Sequence, residues 1–140
     1  MSQTIRFHYD VPGDDFTRAG EASSSVKKAL KKVGLPADII RNVAIAMYEG
    51  EINMVIHADG GSADVMVYED GVEIVLADKG PGIPNIELAM KEGYSTAPDN
   101  VRNLGFGAGM GLPNMKRYTD DMKIETEVGK GTTITMRVNL

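Results

Sequence analysis

Two glycine-rich segments decide the fold of this chain: Asp78-Lys-Gly-Pro-Gly-Ile-Pro84 and Gly105-Phe-Gly-Ala-Gly-Met-Gly-Leu112. The first follows an apolar, strand-like run. The second runs into Pro113-Asn-Met-Lys-Arg-Tyr118, which predicts a helix with proline in its first turn. Glycine lets backbone N–H groups line a concave surface that accepts anions, and a helix N-terminus adds further free donors. Together the two segments predict a nucleotide site.

Composition sets limits on what the chain can do. Its 140 residues are 42% hydrophobic and 25% charged, which predicts one domain over residues 1–140 with one core. The net charge of −5 argues against direct binding to nucleic acid, whose phosphates require a basic surface. The chain has no cysteine, which excludes disulfides and thiolate sites, and no apolar run approaches the ~20 residues that span a membrane. We expect a cytoplasmic protein, because the first ten residues also lack a signal-peptide core.

Hydrophobic periodicity predicts helices and strands over most of the chain. Strands show as alternating apolar residues, and helices as apolar residues three or four positions apart. The predicted elements, in order, are a strand over 5–11, a helix that Asp14 or Asp15 caps and Gly34 ends, a helix over Pro36–Ala58, a hairpin of Ala63–Tyr68 and Val72–Ala77, a short helix over Pro84–Glu92, a polar lid over Gly93–Leu104, a helix over Pro113–Thr119 and a hairpin over 122–140. They predict an α+β two-layer sandwich, whose mostly antiparallel mixed sheet is covered on one face by helices.

The second helix carries polar residues within an otherwise apolar pattern. Glu49, Asn53 and His57 recur every fourth residue, so their side chains project from neighbouring turns on one side of the helix. Burying such groups without partners costs free energy, so we expect them to face a cleft or a polar network. His57 could contact bound phosphate or bond a carbonyl at the helix end, and the sequence leaves both roles open.

Four short motifs in a fixed order narrow the kind of nucleotide site. The Walker and Rossmann phosphate loops are absent, because neither glycine spacing occurs. The chain instead carries Glu49-x-x-x-Asn53, Asp78-x-Gly80-x-Gly82-Ile83, Gly107-x-Gly109-x-Gly111-Leu112 and Gly129-x-Gly131-Thr132-Thr133. This series resembles the N, G1, G2 and G3 boxes of the GHKL ATPases, which have the Bergerat (histidine-kinase-like ATPase) fold. The resemblance covers most of the chain, from about Ile39 to its end.

Within that superfamily the chain is similar to the small bacterial anti-sigma-factor and switch serine/threonine kinases, which consist of one ATPase domain. Gly80-Pro-Gly-Ile-Pro84, Gly93-Tyr-Ser-Thr96 and Gly109-Met-Gly-Leu-Pro113 carry this finer resemblance. It implies ATP and Mg²⁺ as cofactors, and a serine or threonine on a small anti-sigma-antagonist-type protein as the phosphorylation site. Whether a sigma factor also binds, and whether the chain forms a homodimer, stays open.

The resemblance assigns roles to residues that match the family motifs. Asp78 would accept a hydrogen bond from the adenine amino group, although an Asx turn that caps the loop would also explain it. Asn53 would supply an oxygen ligand to Mg²⁺, with a buried core amide as the alternative. Glu49 would accept the proton of the substrate hydroxyl as general base, with an ion pair to Arg41 or to a lysine on a neighbouring element as the alternative.

Further residues are expected around the nucleotide. Those assigned to binding, besides Asn53 and Asp78, are Gly80, Gly82, Ile83, Ser95, Thr96, Gly105, Gly107, Ala108, Gly109, Met110, Gly111, Leu112, Thr132 and Thr133. The two threonines could equally be ordinary strand residues. Arg102 in the lid could close on the phosphates or stay in solvent.

One departure from the family pattern bears on the expected activity. Tyr48 stands where the family usually has a small residue, and Glu51 follows Glu49 closely, so we expect a second carboxylate near the metal side. That charge would affect turnover more than binding. The residues beside Glu49 leave open a nucleotide-gated module that sequesters a sigma factor or another regulator without transferring phosphate, although Glu49 itself favours the kinase. A third function, separate from this departure, is an ATP hydrolase that acts on no protein.

Overall fold

The structure is a computed structural model and describes residues 4–13, 20–57, 60–80, 82–83, 90 and 111–140. Within these ranges the chain forms five strands and three helices. In chain order they are β1 (Ile5–Pro12), α1 (Glu21–Val33), α2 (Ala37–His57), β2 (Gly60–Tyr68), β3 (Gly71–Asp78), α3 (Gly111–Arg117), β4 (Asp121–Glu127) and β5 (Gly131–Asn139). The predicted short helix over 84–92 and the predicted lid over 93–104 lie outside the described residues, apart from Met90.

The five strands form one sheet in the order β1-β2-β3-β5-β4. All four pairings between these strands are antiparallel, in agreement with the expected mostly antiparallel sheet. The register matters for the site, because Asp78 at the end of β3 lies opposite Thr132 on β5, and Thr132 lies opposite Thr126 on β4. The ends of three adjacent strands therefore meet at one corner of the sheet.

The core lies between one face of the sheet and the helices. Alternate residues of β2, β3 and β5 are buried, as the period of a pleated strand requires. Three methionines, Met47, Met115 and Met136, are fully buried there, as flexible apolar side chains that fill a core. The predicted α+β sandwich is thus confirmed.

Gly50 brings α2 close to the sheet. A Cβ atom at this position would overlap the Leu76 side chain of β3. Because Gly50 follows Glu49 and Leu76 precedes Asp78 by two residues, this contact holds the polar side of α2 beside the end of β3. The fold therefore places the N-box helix and the first glycine loop next to each other.

The first helix begins later than the sequence predicted. Gly20 precedes it with a φ of 95°, which a helical residue cannot have, so Asp14 and Asp15 are not its caps. These two aspartates themselves lie outside the described residues. At its other end the prediction is confirmed: Gly34 has a φ of 92° and its N–H donates to the Leu30 and Lys31 carbonyls, both at 3.1 Å. Among the described helices, none is long and apolar enough to cross a membrane.

Candidate functional site

Asp78 is held by one of its two carboxylate oxygens. Its Oδ1 atom accepts the N–H of Gly80 at 2.9 Å and the N–H of Thr132 at 3.2 Å. The first bond is the Asx turn that the sequence offered as an alternative, so that local role is real. In the hydrogen bonds between described residues, Oδ2 takes no part. The two N–H groups therefore fix the orientation of the carboxylate.

The loop after Asp78 lies directly against the turn between β4 and β5. Gly82 has a φ of 81°, and a Cβ atom there would lie 2.6 Å from the Glu127 carbonyl oxygen. A side chain at Gly82 would therefore be excluded twice, by the backbone conformation and by the neighbouring strand. The next residue, Ile83, donates its N–H to Thr126 Oγ1 at 2.8 Å. Both contacts fix the path of the first glycine loop.

Glu49 and Asn53 lie one turn apart on α2, both partly exposed. Glu49 Oε1 accepts a hydrogen bond from Asn114 Nδ2 of α3 at 3.3 Å, so its partner is an amide and not the arginine or lysine that the alternative interpretation named. Arg117 Nη1 donates to Asn114 Oδ1 at 3.1 Å, which turns the amide nitrogen toward Glu49. Burial raises the pKa of Glu49, and the bond from Asn114 opposes part of that rise.

Sequence motifs did not single out Asn114. It matches none of the four boxes, and a polar residue near a helix start usually indicates a cap. Its neighbours Leu112, Pro113 and Met115 are buried, however, and Asn114 is only partly exposed. No spacing or motif in the sequence indicates the contact with Glu49, because it forms only when α3 packs against α2.

Asn114→Ala is expected to raise the pKa of Glu49 further, because it removes the hydrogen bond that favours the ionised carboxylate. The measurement is a ¹³C NMR titration of the Glu49 side-chain carboxyl. Asn139→Ala is the control, because Asn139 is the last residue of β5, at the end away from Thr132; it should leave the titration unchanged. An unchanged or lowered pKa in Asn114→Ala would show that the bond does not govern the ionisation of Glu49.

Glu51 does not lie where the sequence suggested. Two residues along a helix correspond to roughly 200°, so Glu51 points away from Glu49. It is 2% exposed and accepts three backbone N–H groups at the start of α1: Gly20 at 2.9 Å, Ala22 at 3.1 Å and Ser23 at 3.1 Å. The expected second carboxylate near the metal side is therefore wrong, because this side chain caps another helix.

The remaining predicted residues fall into three groups. Thr132 is buried on the core side of β5, whereas the alternation of that strand puts Thr133 on the opposite face. Leu112 is buried in α3, which starts at Gly111, two residues before the predicted start. The side chain of His57 and the following predicted residues lie outside the described part of the chain: Ser95, Thr96, Arg102, Gly105, Gly107, Ala108, Gly109 and Met110.

This geometry defines a class of protein. An aspartate at a strand end, a glycine loop beside it and a Glu-x-x-x-Asn helix packed on the same sheet are the parts of a Bergerat-type ATP-binding domain. Sequence comparison then gives the family: the model of the histidine kinase-like ATPase domain matches residues 14–138, and the chain belongs to that family.

Individual relatives agree with the finer resemblance. The chain is 39% identical over 103 residues to an anti-sigma F factor of Clostridium acetobutylicum, covering 70% of this chain and 68% of the relative. It is 33% identical over 98 residues to the serine/threonine-protein kinase RsbT of Bacillus subtilis, covering 70% and 62%. The predicted similarity to anti-sigma-factor and switch kinases is confirmed.

Solved structures share the fold at low sequence identity. A crystal structure of the RsbU and RsbW domains of a Mycobacterium tuberculosis protein matches with a TM-score of 0.65 and 15% identity, over 96% of this chain and 32% of that one. The mycobacterial sensor histidine kinase MprB matches with a TM-score of 0.54 and 18% identity, over 96% and 97%. At this identity the matches support the fold alone.

Proposed function

We propose that this protein is an ATP- and Mg²⁺-dependent serine/threonine kinase of the anti-sigma, partner-switching type, with residues 1–140 as its ATPase domain. The observation that carries the proposal is Glu49, a partly buried carboxylate with a raised pKa beside the end of β3. A general base needs such a pKa, nearer to the working pH than that of an exposed glutamate. The names of the relatives, an anti-sigma F factor and a serine/threonine-protein kinase, support the same activity.

Asp78 and the first glycine loop suit an adenine base. The Oδ2 atom of Asp78 would accept a bond from the 6-amino group, since Oδ1 is already engaged by two backbone N–H groups. Gly80, Gly82 and Ile83 would lie along the base, and Thr132 would support Asp78 from β5. Thr133, on the other face of the strand, has no place in this arrangement. The second glycine segment, from Gly105 to Leu112, would surround the phosphates.

The residues of α2 fit a magnesium ion held together with phosphate. Asn53 offers a neutral oxygen on the partly exposed side of the helix, one turn from Glu49, and Mg²⁺ prefers oxygen ligands beside substrate phosphates. Within the described residues, no group of three histidine or acidic side chains could hold a metal by itself. When bound, the ion would neutralise charge on the β- and γ-phosphates. Asn53 would then orient it from the protein side.

Glu49 would move the proton in the transfer step. One carboxylate oxygen is held by Asn114, which leaves the other to face the hydroxyl of a substrate serine or threonine. As the hydroxyl oxygen bonds to the γ-phosphorus, the bond from phosphorus to the bridging oxygen of the departing ADP breaks, and the hydroxyl proton passes to Glu49. The substrate would be a small anti-sigma-antagonist-type protein.

Incubation with γ-labelled ATP, Mg²⁺ and candidate regulatory proteins tests this function. Label on a serine or threonine of the partner is the expected result. Release of labelled phosphate without labelled partner would instead indicate an ATP hydrolase. Formation of a nucleotide-dependent complex without either product would indicate a binding module. Calorimetry with ATP alone separates these cases from a protein that binds no nucleotide.

Asp78→Asn is expected to weaken ATP binding about 100-fold, as loss of a charge-assisted hydrogen bond and gain of an opposed donor together imply. The new amide keeps its oxygen toward the N–H groups of Gly80 and Thr132, so its nitrogen replaces Oδ2 and faces the adenine amino group. Inosine triphosphate has an oxygen where adenine has its 6-amino group. The same geometry therefore predicts that Asp78→Asn weakens the binding of inosine triphosphate far less than that of ATP. Calorimetric titration with both nucleotides measures the difference, and equal losses for both would contradict the base contact.

A further inference from the structure

One hydroxyl joins the first glycine loop to the β4–β5 hairpin. Thr126 is the second-to-last residue of β4, and its Oγ1 atom accepts the N–H of Ile83 at 2.8 Å. The same oxygen lies 2.9 Å from Thr132 Oγ1 and 3.3 Å from the Gly131 carbonyl oxygen. Thr126 therefore contacts the loop after β3 and two consecutive residues of β5.

These three contacts can all be satisfied at once. A threonine hydroxyl has one donor hydrogen and can accept two. It can accept from the Ile83 N–H and from the Thr132 hydroxyl while donating to the Gly131 carbonyl. The chain then continues, because the N–H of Thr132 donates to Asp78 Oδ1. A single network thus runs from the loop, through two threonines, to the carboxylate that would bind the base.

The backbone near Thr126 lies close to the loop at two glycines. A Cβ atom at Gly82 would lie 2.6 Å from the Glu127 carbonyl oxygen, and one at Gly131 would overlap the Asp78 carbonyl oxygen. Both glycines also have positive φ angles, 81° and 136°. The loop and the hairpin are therefore in direct backbone contact on either side of the Thr126 hydroxyl.

We propose that Thr126 is a positioning residue for the nucleotide site: its hydroxyl fixes Gly82 and Ile83 against the hairpin, so that the loop and Asp78 are set in the geometry that receives the base. This rests on the proposed function only for the identity of the ligand. Thr126 itself touches no phosphate or reacting atom in this assignment. Its effect should therefore appear in nucleotide affinity rather than in the rate of transfer at saturation.

Thr126→Val tests the proposal, because it keeps the shape of the side chain and removes the hydroxyl. We expect the Kd of both ATP and ADP to rise about tenfold, the equivalent of one hydrogen bond of ordinary net strength, with kcat at saturating ATP changed by less than about twofold. Thr126→Ser keeps the hydroxyl and should recover most of the affinity. Thr135→Val, on the outward face of β5, is the matched control and should bind like the native protein.

A second readout tests the contact without any nucleotide. The Ile83 amide should exchange its hydrogen faster in Thr126→Val than in the native protein, as followed by NMR, while the amides in the middle of β3 stay protected. Native affinity in Thr126→Val together with unchanged exchange at Ile83 would overturn the proposal. So would an equal loss in Thr126→Ser. If the native protein binds no ATP, the proposed function fails, but faster exchange at Ile83 would still establish the positioning contact.

Discussion

Glu51→Ala should lower the free energy of unfolding by about 3 kcal/mol or more, which is a large part of the stability of a small domain. The side chain is 2% exposed and accepts the N–H groups of Gly20, Ala22 and Ser23. Alanine would leave these three donors unpaired and would remove a negative charge from the positive end of the α1 dipole. The loss corresponds to a fall of roughly 10 °C in melting temperature.

Glu51→Gln refines this experiment. Glutamine keeps the volume, but its amide nitrogen must face at least one backbone N–H, because the native carboxylate uses both oxygens as acceptors. We expect an intermediate loss, measured by chemical and thermal unfolding. Unfolding of both variants at the native midpoint would show that the start of α1 takes its caps from elsewhere.

The sequence predicted the elements well where local patterns determine them. Alternation specified β2 to β5, and the glycine signals placed the end of α1 at Gly34. The start of α1 was predicted wrongly because its cap comes from Glu51, about 30 residues away, and not from a nearby aspartate. A local signal cannot reveal a cap that exists only after two helices have packed together.

In the candidate site, too, local patterns predict some features, whereas contacts between distant elements determine the others. The strand-end position of Asp78 and the Glu49–Asn53 spacing follow from periodicity, and the structure puts both beside the α2–β3 contact. Thr132 lies an even number of residues from Ile134 and Met136, so it shares their buried face of β5. The alternating pattern could therefore already have placed Thr133 on the other face. The roles of Asn114 and Thr126 depend on contacts between distant elements, which neither spacing nor motif specifies.

Glu49→Gln should lower the rate of phosphate transfer to the partner by about 10²–10⁴-fold, the range that general bases contribute. The Kd of ATP should change by less than about twofold, because Asp78 and the glycine loops hold the base and phosphates in this assignment. In the native protein the proposed transfer should slow as the pH drops through the raised pKa of Glu49, since only the ionised form accepts a proton. The pH profile of transfer with saturating ATP measures this acid limb.

A measurement of stability shows whether Glu49→Gln loses phosphate transfer because the base is gone or because the protein unfolds. Glu51→Gln is the matched comparison. A raised pKa means that the folded state binds the Glu49 proton more tightly than the unfolded state does, so the ionised carboxylate opposes folding above that pKa. Neutral glutamine removes this cost, and Glu49→Gln should melt at the same or a higher temperature at pH 7.

The two glutamates should therefore give opposite results: substitution at position 49 removes transfer and keeps stability, whereas substitution at position 51 lowers stability. Undiminished transfer in Glu49→Gln would remove the base assignment, and a lowered melting temperature would give Glu49 a structural role instead.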